Sequence, residues 1–63
     1  MKNQKLIQQI AGKLVVEGLT PDFVTKQKAI SKTMNCESAT LMHQEIERNY
    51  DDIVVVMAFM TLN

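Results

Sequence analysis

The chain has 63 residues and a mass of 7.2 kDa; 46% of it is hydrophobic and 22% charged, with two Gly, one Pro and one Cys. A lone cysteine, Cys36, excludes an internal disulfide framework, and a lone histidine, His43, leaves no structural zinc set. The apolar content is too high for intrinsic disorder, and the longest apolar run, Ile53 to Met60, falls well short of the roughly 20 residues that span a bilayer.

These exclusions shape the expectations that follow. A chain this short buries only about 60% of its unfolded surface, so its stability alone is marginal. With disulfides and metal removed as staples, self-association or a partner remains. No cofactor and no membrane partner are expected. Gln8, Gln9 and Lys13 interrupt the apolar positions near the start, unlike the unbroken core of a secretion signal, so a reduced, cytoplasmic setting is the default. Formal net charge is zero, but residues 1–32 carry +4 and residues 33–63 carry −4. Either a basic surface awaits an acidic partner, or the two halves fold back and neutralise one another.

In chain order, Leu6, Ile7, Ile10, Ala11, Leu14 and Val15 form one stripe at the helical period between Asn3 and Glu17. Gly12 weakens this helix by about 1 kcal/mol relative to Ala unless something packs closely there. Gly18 suits the position just past its end, where a positive φ is needed. Thr20-Pro21-Asp22 then reads as a helix start: a capping hydroxyl, proline at the first helical position and an acid near the positive end of the dipole. Leu19 and Val24 stand where a hydrophobic staple would, and Phe23, Ile30 and Met34 form the inward stripe. Helices one and two, residues 3–34, are expected to form a short hairpin.

Asn35 or Cys36 is expected to precede a third helix over 37–62. Its apolar stripe, Ala39, Met42, Ile46, Tyr50, Ile53, Met57 and Met60, runs without interruption. A continuous rod of that length measures roughly 39 Å, more than a 63-residue globule needs, and would reach toward a second chain. Two alternatives compete. Asn49-Tyr50-Asp51-Asp52 has the residue types of an N-cap and acidic first turn, which would break the helix. Ile53 to Val56 is β-branched and suits a strand, though an unpaired one. As a helix, Ile53 to Met60 is apolar on all sides, which implies burial on all sides.

Catalytic chemistry is not apparent. Gly12 and Gly18 are isolated, so no phosphate loop forms. Cys36 and His43 on one helix would lie about 10 Å apart, too far for a nucleophilic pair. Cys36 reads as a small apolar residue and His43 as solvent-facing. Glu45, Glu47, Asp51 and Asp52 read as a divided solvated surface rather than a carboxylate site.

The expected fold is therefore all-α: one small helical domain, residues 1–63, with an N-terminal helical hairpin packed on a long, continuous or broken C-terminal helix and completed by dimerisation. The expected function is that of a non-enzymatic regulator or inhibitor that binds another protein. Ile53, Val54, Val56, Met57, Phe59 and Met60 are the candidate self-association residues, and Lys26, Lys28 and Lys32 the candidate face for the external protein. The alternative is a small dimeric DNA-binding regulator with a degenerate helix-turn-helix over 23–48. There Ser31 would permit close helix approach, Asn35 would take a positive φ, Cys36 and Leu41 would be buried, and Glu37, Ser38 and Thr40 would read bases. Charge opposes nucleic acid, because Glu37, Glu45 and Glu47 outnumber Arg48 on the reading helix.

Overall fold

The computed structural model describes residues 2–62. Three helices follow one another: α1 (Gln4–Val16), α2 (Lys26–Thr33) and α3 (Ala39–Met60), with no strand among the described residues. The fold is thus the all-α arrangement expected, with α1 and α3 as the principal packed pair. The β-branched run at 53–56 lies inside α3.

The first helix forms as its sequence dictates. Asn3 caps it, its Oδ1 accepting from the Leu6 amide at 3.1 Å. Leu6, Ile7, Ile10, Ala11 and Leu14 are buried along the apolar stripe. At the other end Gly18 takes φ +89°, the Gly18 amide donates to Val15 O at 3.0 Å and the Leu19 amide to Leu14 O at 3.0 Å. This pair of bonds is the Schellman closure, and Leu19 packs back on the core beside it.

The second helix departs from expectation. Thr20 and Pro21 start only a single turn, closed by Thr20 O accepting from the Phe23 and Val24 amides at 3.1 and 2.9 Å. The helix proper begins at Lys26, capped by Thr25 Oγ1 accepting from the Lys28 amide at 3.1 Å. Its inward face is therefore Ala29 and Thr33, with Val24 buried ahead of it, while Phe23 and Met34 stand exposed and Ile30 is half-buried. Small inward residues let α2 lie close to its neighbours. Thr33 enters the core because its own Oγ1 donates to Ala29 O at 2.9 Å and Ile30 O at 3.1 Å, so no polar group is left unpaired.

The third helix starts later than expected, after Ser38, and it is not a straight rod. Asn49 has φ −130° and ψ 38°, outside the helical region, and the axis bends there. Twenty-two residues of straight helix would measure about 33 Å, whereas the longest dimension of the molecule is 29 Å. Asparagine competes for backbone hydrogen bonds and favours caps over helix interiors, and Asp51 and Asp52 then fall in the first turn of the second half. The break expected as an alternative is the one observed. The apolar register survives it: Met42 and Ile46 before the bend and Ile53 and Met57 after it are all buried, with Tyr50 half-buried between them.

Because α3 bends, its second half lies along α1. Lys2 Nζ pairs with Asp52 at 3.2 Å near one end, and near the other a Cβ added to Gly12 would stand 4.0 Å from Met60 Cε. The two segments thus run in the same direction. The neighbour at Gly12 is the far end of a flexible side chain at ordinary contact distance. Gly12→Ala is therefore expected to raise stability by up to about 1 kcal/mol through helix propensity, read as a higher urea midpoint with unchanged slope. Met57→Ala, which empties a fully buried site in the same interface, is expected to cost about 2–5 kcal/mol in the same titration.

Candidate interaction surface

The bend decides which apolar residues of the C-terminal segment face outward. Ile53 and Met57 are 0% exposed and packed in the chain's own core, so within the single chain neither stands at the surface. Val54 and Val56 flank that face and are half-buried. Phe59 and Met60 do reach the surface, at 67% and 41% exposure. The composition around 53–60 concealed two more. Val55 is 53% and Leu62 74% exposed. Positions 55 and 59 stand four apart within α3, on the helical flank opposite Ile53 and Met57, and Leu62 follows just beyond the helix end. Their spacing in the sequence carried this signal, but it merges with the inward stripe when the segment is read as apolar all round.

The lysines proposed for an external protein are engaged within the chain. Lys26 Nζ lies 3.9 Å from Glu47, Lys32 Nζ lies 3.9 Å from Glu17, and Lys28 Nζ donates to Phe23 O at 3.3 Å. Lys2–Asp52 and Lys26–Glu47 each join the basic half to the acidic half, so the halves do fold back on one another. Pairs this exposed contribute at most about 1 kcal/mol each and leave the lysines available to exchange partners.

The residues assigned to base reading, Glu37, Ser38 and Thr40, are exposed around the start of α3. The register a helix-turn-helix requires around them is not the one formed. Ser31 and Leu41 are exposed rather than buried, and among the described residues no non-glycine residue, Asn35 included, has positive φ. Cys36 is half-buried and packs against the core, as that register did expect.

Two other side chains correct their expected settings. Glu45 is buried beside the bend, where its carboxylate accepts from Asn49 Nδ2. His43 does not face solvent with both nitrogens: its Nε2 is buried and has no hydrogen-bond partner. Two open, strongly polar grooves mark the surface. One of about 210 Å³ runs beside the bend between Lys26, Arg48 and Asp51; the other, about 290 Å³, lies between Lys13, Lys32 and Cys36. Among the described residues no group of three His, Cys, Asp or Glu side chains comes together to hold a metal ion, and no described helix is long and apolar enough to cross a membrane.

Tyr50 fastens the bend to the rest of the fold. Its hydroxyl donates to Val24 O at 2.8 Å, tying the first residue after the break to the loop before α2. Burial, and then the neighbouring Asp51 carboxylate, raise the hydroxyl above its ordinary value near 10. No known protein family, curated protein or solved structure matches the chain.

The Tyr50 contact makes a two-part prediction. Tyr50→Phe is expected to cost about 1 kcal/mol, the typical net worth of such a bond. In the natural chain the folded state holds the Tyr50 proton that the unfolded state releases, so this contribution is complete below about pH 10 and is lost as pH rises through the folded value. Urea unfolding from pH 8 to 11 should show the two proteins converging at the alkaline end; a constant difference would contradict the assignment.

Proposed function

We propose that the chain is a non-enzymatic interaction protein, a small regulator or inhibitor that occupies the surface of another protein and also self-associates. The observation that carries this reading is the outer flank of α3, where Val55 and Phe59 are exposed together on a helix whose opposite side is already packed, with Leu62 exposed just beyond the helix end. Exposed aromatic and aliphatic side chains aligned on a rigid helix are the ordinary anchors of a protein interface. Met60, partly exposed, lies on the other side of the helix toward Gly12 of α1. A cytoplasmic setting, in which Cys36 stays reduced, agrees with this role. Lys26, Lys28 and Lys32 form a secondary contact face for an acidic partner, each held by a weak interaction that a stronger carboxylate array would displace.

Sedimentation velocity from 5 to 500 µM tests the self-association. The natural chain is expected to shift toward dimer with concentration, and Val55→Ser combined with Phe59→Ser to weaken that shift with unchanged helical circular dichroism. A natural chain that remains monomeric throughout would overturn self-association on this surface. Salt-sensitive binding to duplex DNA, lost on Thr40→Ala, would replace the reading with that of a DNA-binding regulator.

A further inference from the structure

The apolar stripe of α3 and the break within it specify different shapes. From Ala39 to Met60 the stripe keeps helical spacing through residue 49 as though no break existed, yet the backbone turns aside at that one residue. Asn49 is neither proline nor a positive-φ residue, so nothing steric prevents it from taking helical angles. The bond between Asn49 and Glu45 spans i to i+4 and is equally available in a straight helix. Straightening would carry residues 50–62 away from their own α1 and expose Ile53 and Met57, which are now fully buried. It would also open the side of α1, between Lys2 and Gly12, along which this segment now runs.

The surface so opened on α1 has one occupant whose fit is already visible, namely the segment 50–62 itself. We infer that two copies of the chain exchange this segment, with Asn49 as the hinge, so that α3 of each copy runs straight and its second half packs on α1 of the other. The contacts between α1 and the exchanged segment are the same in both forms and cancel. What favours exchange is helical continuity at two hinges; what opposes it is the entropy of joining two molecules. The mode differs from association through the outer flank, because Val55 and Phe59 take no part in it and remain exposed before and after.

The hinge sets the balance, so substitutions there move it predictably. Asn49→Ala favours the helical backbone by about threefold at each hinge, and so raises the dimerisation constant about tenfold for the pair. Asn49→Gly, which penalises the straight helix, is expected to lower it. Cross-linking identifies which copy supplies the segment. With Cys36→Ser removing the native thiol, Gly12→Cys and Met60→Cys place two thiols on side chains that face one another across α1 and α3. A short bis-maleimide applied to the dimer fraction of the Asn49→Ala protein should give covalent dimers on a denaturing gel, against covalent monomers from the monomer fraction. The same dimer should persist when Val55→Ser and Phe59→Ser are added. A dimer whose cross-links all lie within one chain, or that vanishes with the outer-flank substitutions, would overturn exchange while leaving outer-flank association standing. Failure of the Asn49→Ala protein to dimerise up to 500 µM would also overturn it.

Discussion

The structure depends on the turn that the backbone makes at Asn49. Without it the third helix is a rod longer than the molecule is wide, and its distal half has nothing of its own chain to pack on. With it, Ile53 and Met57 join Ile7, Ile10 and Leu14 in one buried core, in a chain that has no disulfide to help. The contacts that look secondary follow from the same turn. Tyr50 reaches Val24 only because the bend brings it over the loop before α2, and Lys2 meets Asp52 only because the second half lies along α1. The energy lost at one non-helical residue is small beside the apolar area that two facing helices remove from water.

How much of this was legible depended on whether a signal was local. The first helix was readable because its apolar stripe is regular and its Gly18 closure acts within the last turn, while the Asn3 cap was found only in the structure. The second was not, because two threonines five residues apart both offer caps. Thr20 and Pro21 do turn the chain, but Val24 is drawn into the core, and Thr25 restarts the helix in a register that turns Ala29 and Thr33 inward. Pattern reading favoured the larger Phe23, Ile30 and Met34. It cannot see that a threonine bonding to its own helix behaves as a small apolar residue. Glu45 was hidden for a related reason: its carboxylate is satisfied by Asn49, a partner that matters only once the bend is known.

The C-terminal segment shows where composition misleads about function. Reading Ile53 to Met60 as apolar on every side was accurate about the residues and inaccurate about what covers them. The bend lets α1 cover the inward side, so the apolar surface left over is a narrow flank of Val55 and Phe59, with Leu62 beyond the helix end, rather than a whole helix. Charge behaves similarly. The opposite signs of the two halves meet in exposed pairs, Lys2 with Asp52 and Lys26 with Glu47. Such pairs orient the segments while contributing little to holding them.

In the exchange we propose, a sequence whose apolar period ignores its own backbone break has two packings that share a core. In the closed chain α1 and the segment 50–62 meet at high effective concentration, because residues 17–49 join them within one molecule. In the exchanged pair the same interface forms between chains and the helix is continuous, with two non-helical residues restored to helical geometry. The first form is independent of protein concentration and the second is not. Local abundance thus becomes the variable that selects between them, and any residue that changes the cost of the bend changes the concentration at which the selection occurs. The break that allows so short a chain to fold alone is therefore also the element through which a second copy can replace part of that fold.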